Sequence, residues 1–129
     1  MEIVKVGRYR ARFSASQNDI SATQALRYQC FKLSNKLKLD VDDFDTICKH
    51  VLVENLETEK LICCYRILCF DNGKNVTSSY SSQFYDLKAI ACYPKPMIEI
   101  GRFCIDPNVN DPIVLLTAWA SLAQIVDQS

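Results

Sequence analysis

The run Met97-Ile98-Glu99-Ile100-Gly101-Arg102-Phe103-Cys104-Ile105-Asp106-Pro107 sets an acid, a glycine and an arginine inside an otherwise apolar stretch. Side chains alternate along a strand, so Glu99 and Arg102, three apart, should face opposite ways. One inserted residue would bring them to the same face, and Gly101 is the residue type such a bulge prefers. An acid that can take a proton, beside a base that can steady developing charge, is a unit of general acid–base chemistry. The alternative is an edge strand whose charges face water.

Three other groups could join that pair. Asp40-Val41-Asp42-Asp43-Phe44-Asp45 gathers four carboxylates in six residues. They repel one another unless water or cations intervene, so the segment is either a solvated turn or a receptor for a cation such as an amine. It lacks the glycine and distal glutamate of an EF-hand. Arg66 is the one charge in Leu61–Phe70, and a buried arginine needs a partner, for which the acidic loop and Glu99 are the candidates. Arg27 and Phe31, four apart, are neighbours on a helix, where the plainer reading is a surface arginine lying over an aromatic ring.

The elements that must position these residues are legible. Gly7 to Ser16 alternates, with Tyr9, Ala11 and Phe13 on one face, and predicts a strand. Ser21-Ala22-Thr23-Gln24 has the form of a capping box, and Ala22, Leu26, Cys30, Leu33 and Leu37 follow at helical spacing, predicting a helix over 21–38. Lys49 to Asn55 and Leu61 to Phe70 predict an antiparallel hairpin. Asp71 to Tyr80 reads as a polar loop and Ser81 to Leu87 as irregular, with Phe84-Tyr85-Asp86-Leu87 as an anchor over the domain. After the strand 97–105 and a turn at 108–112, Asp111 caps a helix that Pro112 opens and that runs 113–128. Trp119 and the leucines around it are expected to pack that helix on the sheet.

Composition narrows the function classes. The 129 residues fit one domain, and 49% hydrophobic with 23% charged residues is ordinary for a globular protein. Fifteen basic and fifteen acidic residues cancel, so no overall field favours nucleic acid. Seven cysteines form no C-x-x-C pair and His50 is the single histidine, a poor pattern for a metal site. Most of these cysteines lie in apolar runs, as small core residues of a reducing compartment. No apolar run reaches the length of a membrane span.

Arg27-x-x-x-Phe31, Asp40-x-Asp42-x-x-Asp45, Arg66 and Glu99-x-Gly101-Arg102, in that order, resemble the signature of a branch of the GNAT acyltransferase superfamily. The branch holds the ornithine-acyl-ACP N-acyltransferases of ornithine-lipid synthesis, often labelled hemolysin-like, and the related acyl-homoserine-lactone synthases. Gly7-Arg8-Tyr9-x-Ala11-Arg12-Phe13 and Asp45-x-x-Cys48-x-His50-x-Leu52-Val53 favour the ornithine members.

The resemblance implies an α/β (α+β) fold, a mixed, mostly antiparallel twisted sheet with flanking helices. Residues 1–129 would be a single domain holding the N-terminal portion of that fold and lacking a further strand beside 97–105. The implied reaction moves a fatty acyl group from acyl carrier protein or acyl-CoA, as co-substrate, to an amino-acid amine such as ornithine. Alternatives are an acyl-homoserine-lactone synthase and a truncated, non-catalytic GNAT-like binding module. By the same resemblance Glu99 is the base or its relay, with Arg102 beside it. Asp42 and Asp45 hold the amine, Arg66 and Arg102 pair with these acids, and Arg27 and Phe31 line the acyl or acceptor pocket. No metal or bound cofactor is implied. The expected setting is cytoplasmic, with peripheral contact at the inner face of the membrane and dimerisation through an open sheet edge.

Overall fold

The computed structural model describes residues 1–83 and 92–128. Five strands form one sheet in chain order: β1 (Glu2–Val6), β2 (Tyr9–Phe13), β3 (Lys49–Asn55), β4 (Lys60–Phe70) and β5 (Met97–Ile105). Every described pairing is antiparallel. Helix α1 (Gln17–Cys30) packs on β3, β4 and β5, and helix α2 (Pro112–Asp127) packs on β1 to β4. The expected hairpin and the strand 97–105 are present, and Asp111 caps α2 through Ile113 N–H at 3.0 Å. Strand β1 was not foreseen. It turns into β2 through Gly7, whose φ of +59° suits the first position of a two-residue hairpin turn.

The α2 face of the sheet carries the main core: Tyr9, Ala11, Val51, Val53, Cys63, Tyr65 and Ile67 under Val114, Ala118 and Ile125. A smaller cluster, Leu26, Cys64 and Cys104, lies under α1. Cys63, Cys64 and Cys104 are buried free thiols, while Cys69 and Cys92 are exposed. Burial drives the Cys63 thiol far above its ordinary range, which leaves it chemically quiet.

Both helices differ from expectation. Helix α1 starts at Gln17 because Ser16, not Ser21, is its cap: Ser16 Oγ accepts from Asp19 N–H. It ends at Cys30 in a Schellman motif, with Leu33 N–H donating to Tyr28 O and Lys32 N–H to Gln29 O. Lys32 takes the left-handed conformation there, at φ +52°. Leu33 and Leu37 therefore lie beyond the helix and are exposed, as is Ala22 within it. The buried face is Thr23, Gln24, Leu26 and Arg27. In α2, Thr117 and Ser121 face the core, whereas Leu115, Leu116 and Trp119 face out, Trp119 being 54% exposed. Trp119 meets the sheet by stacking on Phe103 of β5, with ring centroids 5.9 Å apart. Within 71–80, Gly73–Ser78 forms 3-10 turns rather than an open loop. The anchor expected at 84–87 lies outside the described residues.

Candidate functional site

The bulge on β5 is real, but glycine is not the residue that bends. Arg66 pairs with Gly101 and Cys64 with Cys104, so β5 holds one more residue than β4 across that interval. Arg102 absorbs the extra residue at φ +50°, a conformation uncommon for a side-chain-bearing residue. Gly101 lacks positive φ, and a Cβ there would meet the Arg66 side chain at an ordinary 3.7 Å. The insertion brings Glu99 and Arg102 to the α1 face, where both meet Tyr80.

The acidic loop is built as a ligand for arginines. Asp42 and Asp45 cap a short 3-10 turn, Asp43–Thr46: Asp42 Oδ1 accepts Phe44 N–H at 3.0 Å and Asp45 Oδ2 accepts Asp42 N–H at 3.2 Å. The two carboxylates are thereby aimed inward. Arg27 is 1% exposed and donates Nε to Asp40 Oδ2 at 2.8 Å and Nη1 to Asp45 Oδ1 at 2.7 Å. Its Nη2 bonds Asp45 Oδ2 and the Asp40 carbonyl. Arg66 donates Nη1 to Asp42 Oδ1 at 2.6 Å and to Asp45 Oδ1 at 2.9 Å, and Nη2 to Asp42 Oδ2 at 2.9 Å. Arg102 is held more loosely. Its Nη2 reaches Asp42 Oδ2 at 3.3 Å, and its Nε lies 3.2 Å from Asp40 Oδ2 without the alignment of a hydrogen bond.

Three guanidinium groups thus meet three carboxylates in one charge-balanced cluster. Burial alone would raise the Asp45 carboxyl, but hydrogen bonds from Arg27 and Gln24 outweigh it and hold the group far below the usual range. Asp42 is lowered in the same way, burial being outweighed by Arg66. The cluster's outer side is aromatic. The Arg66 guanidinium lies 5.7 Å from the Phe44 ring and 5.5 Å from that of Tyr80, two rings that meet edge to face. Arg102 lies 5.9 Å from the Phe31 ring and 5.2 Å from that of Tyr80.

All seven residues singled out in the sequence converge here from α1, the acidic loop, β4 and β5. Arg66 takes the acidic loop as its partner, not Glu99. Arg27 is no surface arginine: it is buried and braces Asp40 and Asp45. Glu99 accepts Tyr80 N–H at 2.8 Å and Ser81 N–H at 2.9 Å, and it is the one acid of the group with no arginine partner among the described residues. Sequence reasoning missed Gln24, which donates to Asp45 Oδ2 at 3.0 Å, and His50, whose Nε2 lies 2.9 Å from Asp45 O. Gln24 stands three residues before Arg27 on the same helix face, a spacing that could have revealed it. His50 pairs with Arg66 across the hairpin. Phe44 and Tyr80 carry no such signal.

Beside β5, a cavity of about 340 Å³ is lined by Tyr93, Lys95, Pro96, Ile98, Ile100, Leu122 and Val126. Strand β5 ends the sheet among the described residues, so this groove adjoins unpaired backbone.

The chain is 26% identical to the L-ornithine N(alpha)-acyltransferase of Rhodobacter capsulatus over 132 residues, 92% of this chain and 51% of that protein. It is 28% identical to the enzyme of the same name from Rhizobium meliloti, covering 89% of this chain and 44% of that one. The chain spans about half the length of these curated relatives. Its backbone resembles the crystal structure of the AHL synthase LasI with a TM-score of 0.66 over 93% of this chain and 66% of that one, at 17% identity, a likeness of fold. The acetyltransferase (GNAT) domain matches residues 23–120, from α1 into α2 and across every element of the charge cluster, and the chain belongs to that family.

Proposed function

We propose that this chain carries the acceptor side of an N-acyltransferase that moves a fatty acyl group from a thioester to an amino-acid amine such as ornithine. The observation that carries the reading is the convergence of Arg27, Asp42, Asp45, Arg66 and Arg102 at the β5 bulge, with Glu99 left without a cation among the described residues. In the reaction the amine nitrogen attacks the thioester carbonyl, a C–N bond forms, the C–S bond breaks and the thiol leaves. The nitrogen must shed a proton, and Glu99 can take or relay it without breaking an ion pair. The bulge takes β5 backbone out of ladder register, where an N–H can face the developing oxyanion. Asp42, reachable from solvent at the cluster's edge, orients the amine, and Phe31 and Arg102 wall the acceptor. Arg27, Asp45 and Arg66 keep that edge in place.

The donor is acyl-ACP or acyl-CoA, its arm laid in the apolar groove beside β5. The free edge of β5 and the exposed apolar side of α2 are the surfaces through which the chain meets a further polypeptide segment or a second copy. No helix among the described residues is long and apolar enough to cross a membrane. A cytoplasmic site, peripheral to the inner leaflet, suits a lipid-forming reaction.

Acceptor binding tests the reading. Titration of the labelled chain with L-ornithine should shift amide resonances at Phe31, Asp42, Glu99 and Arg102. A stronger response to S-adenosylmethionine would transfer the assignment to the acyl-homoserine-lactone synthase type, and silence at these residues with both would leave a binding module.

A further inference from the structure

Glu99 does something its expected role as a proton acceptor does not require. Its two oxygens accept consecutive backbone N–H groups, Tyr80 and Ser81, from a segment reached only after the 3-10 turns of Gly73–Ser78. The ring so placed lies on both Arg66 and Arg102, at 5.5 and 5.2 Å, and edge-on to Phe44 at 5.4 Å between centroids. Ser79, buried beside it, accepts Ser82 N–H at 3.1 Å through Oγ, and Ser82 Oγ donates to Ser79 O at 2.7 Å, so the segment closes on itself next to the Glu99 contact.

We infer that Glu99 latches the 79–82 turn to the sheet and that Tyr80 is a positioning residue, holding the planes of Arg66 and Arg102 over the aspartates. A carboxylate gripping two amides is a charge-assisted anchor, stronger than two neutral bonds. The ring excludes water from the arginine faces, and ion pairs in the cluster are less screened for it. Arg102 needs this most. Among the described residues its Nε lacks an aligned acceptor and its one side-chain hydrogen bond is 3.3 Å long, and its backbone is left-handed. Two rings, Phe31 and Tyr80, supply the restraint that its acids do not.

The kinetic part of the test rests on the acyl-transfer reading; the exchange part does not. In the wild-type chain the Tyr80 and Ser81 amides should be protected from hydrogen exchange, and exchange at free-peptide rates would overturn the latch. In Glu99→Gln one of the two accepting oxygens becomes an NH₂ that can only donate, so one N–H faces a donor in place of its acceptor. Exchange at one or both amides should rise about tenfold or more, with β3 and β4 amides unchanged. Equal rates in the two proteins would refute it. Tyr80→Leu should raise the acceptor KM about tenfold while leaving the pH profile of kcat in place, and Tyr80→Phe should restore KM. An unaltered KM in Tyr80→Leu would remove Tyr80 from the positioning role. Absence of any acyl transfer would count against the proposed reaction, while the exchange data would still decide the latch.

Discussion

Arg27 shows why residue type alone misleads about surface and interior. A guanidinium can be buried when each donor finds an acceptor, and here Asp40 and Asp45 supply them. Removing one partner leaves a charge uncompensated, so Asp45→Asn should cost about 3–5 kcal/mol of stability, read as a lower urea midpoint. The same pairs govern acid sensitivity. Asp42 and Asp45 are held below their ordinary range, and Asp19, bonded by Arg12 at 2.8 and 2.9 Å, is pushed down to about 2. Their carboxyls gain protons in the unfolded chain first, so their contribution is complete above about pH 5 and is lost as pH falls from about 4 toward 2. A urea midpoint that stayed flat down to pH 2 would contradict this. Asp45→Asn should flatten the acid limb.

At the level of elements, what the sequence disclosed divides along a physical line. Alternation and β-branched runs gave the β3–β4 hairpin, and Asp111-Pro112 gave the start of α2, because those signals act locally. The ends of α1 were hidden. Its cap is the serine before Gln17-Asn18-Asp19, a triplet that reads as a break, and its stop is a left-handed lysine where glycine is the usual mark. Two changes follow. Ser16→Ala should cost about 1 kcal/mol in thermal or urea unfolding while Ser21→Ala costs little. Lys32→Gly should add up to about 1 kcal/mol by relieving its positive φ. The face of α1 was misread for a related reason: its inner side is polar, because it seats Gln24 and Arg27 on carboxylates rather than leucines on a core. At the site, the order of the short motifs and the family resemblance they carry nominated all seven residues. The aromatic cover was not, since Tyr80 reaches the arginines only through a loop with no periodic pattern.

For the whole molecule, the outward side of α2 is the unusual feature. Leu116 and Trp119, each 54% exposed, sit with Leu115 and Val126 on a helix whose buried stripe includes Thr117 and Ser121. Such a surface, beside a strand edge that is unpaired among the described residues, asks for a partner. The chain should therefore self-associate with concentration in sedimentation experiments, and Leu116→Lys with Trp119→Lys should reduce it. The central claim is acyl transfer to an amino-acid amine at the β5 bulge, and its most direct measurement is the mass of the product. Incubation of the chain with acyl-ACP or acyl-CoA and L-ornithine should yield N-acylornithine, with thiol released in step and with both lost in Glu99→Gln. A folded chain that forms no N-acylated amine from either thioester, or a Glu99→Gln variant that forms it at the normal rate, would contradict the account.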